Sequence, residues 1–335
     1  MDKAQPIYWT KKVQKREGAA LLYGNRNMGK DGYADGHVDV TRPFGYGEWQ
    51  QVKKALLASY PELEFVKLGT SVLGREIGAV RLGSGKRQLY CHAAMHANEW
   101  ITGMAAAKFL EEGARAWRED RTWLGRPVRP LLEKVSLWVT PLVNPDGVEL
   151  VLKGPMSAGV FAREVVAWNG NAEDFSGWKA NIRGVDLNDQ FPAHWEEEQQ
   201  RRAVDGPGPR DYTGDAPLTE PEAQAVYAFT LELKPQLTLA LHSQGREIYW
   251  NYRDLEPPGA EAAARRLAEV AGYQAVKLEG SDAGYKDWFI AEFRSLGFTI
   301  EVGYGQNPLP LDQFADIYRD VSLILLEACQ IASEW

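Results

Sequence analysis

Cysteine is nearly missing from this chain: Cys91 and Cys329 are the two in 335 residues, and neither sits at a spacing that marks a thiolate metal site. A disulfide framework and a cysteine-held metal cluster are thereby excluded as organising principles, and the pair reads as two buried thiols. Histidine is scarce as well, with five residues, so any imidazole chemistry rests on very few positions. No apolar run approaches the roughly 20 residues that span a bilayer, so no membrane association is expected. Residues 1–6 lack the apolar core of an export signal. A cytoplasmic location is expected on that pattern, or an exported one if an upstream signal has been removed. Basic stretches, internal repeats and low-complexity tracts are also missing. With a net charge of -8, the chain is not expected to bind nucleic acid. No pattern in the sequence speaks to oligomeric state.

What is present is an ordinary globular composition, 44% hydrophobic and 25% charged, enough for a sizeable core. Residues 1–44 are rich in Gly, Asn and Asp without a sustained period and read as an irregular arm. Residues 45–335 read as one large domain. Trp49, Val52, Leu56, Leu57 and Tyr60 repeat at helical spacing, and Pro61 stops the pattern. Strands are expected over 64–68, 76–82 and 88–93, separated by glycine-containing turns, then a helix over 101–117 and a buried strand within 135–143. A further helix is expected over 221–233, buried strands over 237–241 and 298–300, and a closing helix over 311–333. Helices alternating with buried strands predict an α/β three-layer sandwich: a mixed, mostly parallel twisted sheet with helices on both faces. Residues 152–218, rich in Gly, Pro and charge, show no clear strand and are of the kind that walls a substrate site. Their acidic and basic run 195–202 is expected to be a solvated helical face.

The sharpest local feature is Cys91-His92-Ala93-Ala94-Met95-His96-Ala97-Asn98-Glu99-Trp100, where a buried strand gives way to a helix. His96 and Glu99 form an HxxE pair. Zinc accepts imidazole nitrogen and carboxylate oxygen, and a catalytic site needs three protein ligands and an open position. His242 and Glu301 each follow a buried strand, and ligand crevices of open α/β sheets form at strand C-terminal ends, where residues remote in sequence converge.

The ordered blocks His96-Ala97-Asn98-Glu99-Trp100, Asn144-Pro145-Asp146-Gly147, Gly184-Val185-Asp186-Leu187-Asn188, 216–222, His242-Ser243 and Thr299-Ile300-Glu301-Val302-Gly303 resemble those of the zinc carboxypeptidase family, over residues 43–332. The resemblance implies that His96, Glu99 and His242 hold Zn2+ and that Glu301 is the general base and acid of a peptidase. The family's oxyanion-stabilising cation would fall on Lys179, with Arg183 as the nearby substitute. Asn188 would contact substrate, and Tyr285 is the nearest counterpart of the family's substrate tyrosine.

One departure matters. The family's carboxypeptidases carry Asn-Arg at the end of the GVDxN block, a pair that grips the substrate's free C-terminal carboxylate, whereas this chain reads Asn188-Asp189. A negative charge there would repel a carboxylate and attract an ammonium. The phrases 184–193, His242-Ser243-Gln244-Gly245 and 301–310 resemble a bacterial branch, the γ-D-glutamyl-meso-diaminopimelate peptidases. That branch implies a peptidoglycan-derived peptide as substrate, with Asp189 near its amino group. Two alternatives stay open: a carboxypeptidase with altered C-terminal preference, and an inactive wall-peptide-binding protein.

Overall fold

The computed structural model describes residues 36–335. Most of the expected arm therefore lies outside the described residues. Its last part, 36–44, forms no helix or strand but packs Val38 and Phe44 into the main core.

In chain order the elements begin with α1 (Tyr46–Ser59), β1 (Glu64–Thr70), β2 (Glu76–Leu82), β3 (Arg87–Ala93) and α2 (Trp100–Arg118). A small hairpin, β4 (Thr122–Trp123) and β5 (Arg126–Pro127), leads to α3 (Val128–Leu132), β6 (Val135–Thr140) and α4 (Pro145–Lys153). Next come α5 (Ala162–Trp168), α6 (Trp195–Arg202), α7 (Pro221–Leu233), β7 (Leu237–Ser243) and β8 (Glu247–Tyr249). The chain closes with α8 (Ala260–Ala271), β9 (Gln274–Val276), α9 (Tyr285–Phe293), β10 (Leu296–Val302) and α10 (Phe314–Glu334).

Eight strands form one sheet in the order β1-β2-β6-β3-β7-β10-β8-β9. The centre, β6-β3-β7-β10, is parallel, as is β8 beside β9; β2 meets β1 and β6, and β10 meets β8, in antiparallel fashion. One face packs Leu89, Cys91, Leu239 and Ile300 against α1, α2, α8 and α10. The other packs Tyr90, Trp138 and Ala240 against α7 and α9 through Phe229, Trp288 and Phe289. This is the three-layer sandwich the alternation of elements implied. Burial on both faces explains why β7 is apolar but for Thr238 until it reaches His242: each side chain meets a helix layer. Cys91 and Cys329 are free and buried, as expected. Among the described residues, no helix is long and apolar enough to cross a membrane.

The structure corrects one expectation about residues 152–218. The segment has no strand, but the run 195–202 is more than a solvated face. Glu198 on α6 is buried and accepts a hydrogen bond from the Asp282 backbone N–H at 2.9 Å, while Arg201 pairs with Glu198 and Asp282. A charged helix can turn inward where each inward charge finds a partner, and α6 does so against the loop before α9.

Candidate active site

His96 and Glu99 are aimed by a braced turn. β3 ends at Ala93, Ala94 adopts a left-handed conformation (φ 49°), and the Thr102 hydroxyl accepts from the Ala94 N–H at 2.9 Å while donating to the Glu99 carbonyl at 2.7 Å. The Ala97 N–H donates to the Lys179 carbonyl at 2.9 Å, tying the turn to the insertion. β7 lies beside β3 and carries His242 at its penultimate position. The parallel register of β7 and β10 sets Glu301 opposite His242, so the two side chains leave the same face of the sheet. His242 and Glu301 therefore stand inside the last residues of their strands rather than just after them.

The three ligand candidates converge closely. His96 Nδ1 lies 2.9 Å from Glu99 Oε1, His242 Nδ1 lies 3.0 Å from Glu99 Oε2, and the two Nδ1 atoms are 3.1 Å apart. A tetrahedral zinc with bonds near 2.0–2.1 Å sets ligand atoms about 3.3 Å apart, so this triangle fits the ion in size and in donor chemistry. All three side chains are buried. Burial alone would raise the Glu99 pKa, yet His96 and His242 outweigh it and hold the carboxyl at about 2. Burial pushes Glu301 up to about 8, opposed by His242 and assisted by Glu99.

Behind the histidines stands Asp186, a residue for which the sequence suggested no role although it lies in a quoted block. Its carboxylate reaches His96 Nε2 at 3.3 Å and Lys179 Nζ at 2.7 Å. Carboxylates in that position fix the ring orientation of metal-binding histidines. Burial opposes the charge on Lys179, but Asp186 and Asp189 raise its pKa, so it remains a cation. Lys179 is thus brought into the group. Arg183 is not: its side chain is partly exposed and its guanidinium lies 3.7 Å from Glu220. Asn188 is at hand, its Oδ1 accepting from the Tyr285 N–H at 3.3 Å.

Two expected contacts are revised. Tyr285 is wholly enclosed, its ring 4.4 Å from that of His92 and 5.3 Å from that of Phe191, its hydroxyl 3.1 Å from Thr230 Oγ1. An aromatic ring in the core between sheet and α9 has no open side for a substrate. Asp189 is buried as well and already holds an ion-pair partner, with Arg202 Nε 2.8 Å from Oδ2 and Nη2 donating to Oδ1 at 3.1 Å. It is no free carboxylate facing solvent, and burial together with Asp186 pushes its pKa to about 7 despite Arg202. Arg202 could not be picked out from the sequence, where it is one charge in a charged run.

A family model for zinc carboxypeptidases matches residues 49–323. The chain belongs to the zinc carboxypeptidase family. It is 45% identical over 289 residues to gamma-D-glutamyl-L-diamino acid endopeptidase 1 of Lysinibacillus sphaericus, a match covering 86% of this chain and 73% of that protein. Two solved structures share its fold. Thrombin activatable fibrinolysis inhibitor is similar with a TM-score of 0.73 at 17% identity, covering 91% of this chain and 79% of that one. Carboxypeptidase A of Helicoverpa armigera is similar with a TM-score of 0.67 at 17% identity, covering 91% and 78%. As a member of this family the chain is a metallopeptidase that uses zinc, and His96, Glu99 and His242 are a cluster able to hold the ion.

Proposed function

We propose that this zinc carboxypeptidase-family chain is an endopeptidase that hydrolyses the bond between γ-D-glutamate and meso-diaminopimelate in peptidoglycan stem peptides. In this reading His96, Glu99 and His242 hold the metal, Glu301 moves the proton, and Lys179 meets the negative charge that develops on the carbonyl oxygen. Zinc, when bound, lowers the pKa of water and polarises the peptide carbonyl. Glu301 accepts the proton of the attacking water and delivers it to the leaving amine. Asp186 orients His96 and shares the Lys179 charge, keeping that cation beside the reacting group.

The observation that carries the endopeptidase reading is the closed pair Asp189–Arg202. Where the resembling carboxypeptidases offer an arginine to a terminal carboxylate, this chain offers a guanidinium already engaged by Asp189 and Glu198, each at 2.8 Å from its Nε. That guanidinium is committed within the protein and is not free to grip a chain end. The likeness to a gamma-D-glutamyl-L-diamino acid endopeptidase supports the substrate class.

Zinc-loaded protein should be incubated with L-Ala-γ-D-Glu-meso-diaminopimelate, with and without a terminal D-Ala, beside ordinary peptides, and the products identified by mass. The expected result is cleavage after D-glutamate in both wall peptides. Glu301→Gln should lower that turnover by at least ~100-fold with zinc content unchanged. Release of the terminal D-Ala in place of the cut after D-glutamate, or no hydrolysis of any peptide, would overturn the proposal.

A further inference from the structure

The loop after β10, Gly303-Tyr304-Gly305-Gln306-Asn307-Pro308-Leu309-Pro310, has so far been given no role. It carries one side chain into the metal centre. Asn307 Nδ2 donates to the Ser243 carbonyl at 2.7 Å and lies 3.3 Å from Glu99 Oε1, while Asn307 Oδ1 accepts from the Ser243 hydroxyl at 2.8 Å. The orientation of this amide is determined by its partners: a backbone carbonyl can only accept, so the group facing it is the NH2. Asn307 thus bridges the residue next to His242 and the carboxylate of Glu99.

Glu99 needs that contact for a physical reason. A buried carboxylate must be met by donors or by cations. Its other neighbours within hydrogen-bond reach are His96 Nδ1 and His242 Nδ1. An imidazole nitrogen that gives its lone pair to a metal carries no proton, so neither histidine can donate through that atom once the ion is held. Among the described residues, Asn307 is then the remaining side-chain donor to the Glu99 carboxylate. The loop itself is held by other means. The Gly245 N–H donates to the Gly303 carbonyl at 3.0 Å, Tyr304 and Gln313 exchange two hydrogen bonds of 3.0 and 2.8 Å, and Leu309 is buried in the core. Gly303 permits the turn, with φ 65° and a Leu309 carbon 2.5 Å from where a Cβ would stand. The Asn307 amide is therefore not what keeps the loop in place.

We infer that Asn307 is a positioning residue for the metal: it fixes the rotation of the Glu99 carboxylate, and through Ser243 it couples that carboxylate to the end of the His242 strand. This rests on the assignment of His96, Glu99 and His242 as the zinc site. Partners of this kind typically change metal affinity 10- to 100-fold when removed, so a loss of at least ~10-fold is expected here.

The test is zinc affinity measured by competition with a chromophoric chelator, together with the visible spectrum of the cobalt-substituted protein. Asn307→Ala and Asn307→Leu remove the donor, the second with its volume kept; Gln306→Ala alters the neighbouring exposed residue and serves as the control for the loop. Both Asn307 variants should bind zinc at least ~10-fold more weakly and shift the cobalt bands, while unfolding of their metal-free forms stays close to wild type. Gln306→Ala should match wild type throughout. Wild-type affinity and an unchanged cobalt spectrum in the Asn307 variants would overturn the inference and leave the zinc site standing. Failure of the wild-type protein to bind zinc would overturn both. An equal loss in Gln306→Ala would assign the effect to the loop and refute the role of the amide.

Discussion

Replacing Arg202 by methionine keeps most of its length and removes the guanidinium that faces Asp189, Glu198 and Asp211. Taking one partner from a buried ion pair commonly costs about 3–5 kcal/mol, because the other charge stays buried alone. Asp189 has a way to avoid this. Its pKa is already raised from 3.8 to about 7, and without Arg202 it must rise further. A carboxyl whose folded pKa exceeds its unfolded one stabilises the fold at low pH and loses that contribution as pH climbs from the unfolded to the folded value. Below pH 7 the folded wild type and the folded variant both carry the proton, so the variant should lose only hydrogen bonds, about 1 kcal/mol. Above pH 7 the wild type has ionised and the variant still resists, so the gap widens by about 1.4 kcal/mol per pH unit. At pH 9 it should approach about 4 kcal/mol, inside the range for a broken buried pair. Urea unfolding at pH 6 and pH 9, with chelator present to keep zinc out, measures both gaps. Adding Asp189→Asn to the variant removes the stranded charge and should recover about 3 kcal/mol at pH 9 and nothing at pH 6. Equal penalties at the two pH values, or no recovery by asparagine, would show that Asp189 is not a buried charge neutralised by Arg202.

Metal analysis of His96→Ala and His242→Ala should show zinc lost from both, and full retention in the two proteins would refute the assigned ligands. Glu222 on α7 is buried, accepts from the Val72 N–H at 3.1 Å and from Asn181 Nδ2 at 3.2 Å, and has its pKa pushed from 4.5 to about 7 by burial. Its folded pKa is the higher one, so wild-type stability should fall between pH 4.5 and 7 by about 3 kcal/mol relative to Glu222→Gln. Parallel stability curves for the two proteins across that window would refute this.

The path from sequence to structure is clearest where burial and period agree. Pro221 to Leu233 is helical over the expected span, and the strand at 76–82 is observed unchanged, because proline at a helix start and a short apolar run bounded by turns act locally. β8 and β9 escaped notice because three residues carry no period, and their pairing is tertiary: β10 accepts β8, and β8 in turn accepts β9. α4 was not among the expected helices: it begins at Pro145, directly after the apolar run 135–143 that holds β6.

The sequence by itself determined the donor set. His96, Glu99, His242 and Glu301 are recognisable as candidates because they are residue types suited to metal and proton chemistry at strand ends, and because they fall in ordered blocks that resemble the zinc carboxypeptidase family. Which charge faces which was decided only by the tertiary structure. Asp189 sits 13 residues from Arg202 in the chain, yet the folding of α6 onto the GVDxN turn makes them one ion pair and changes what Asp189 can do. Tyr285 looked available until α9 sealed it against the sheet, and Asn307 became a neighbour of Glu99 from 208 residues away through the turn after β10. Electrostatic and hydrogen-bond partnerships depend on distances of a few ångströms between segments remote in sequence. Hydrophobic periodicity reports which face is buried and carries no such information.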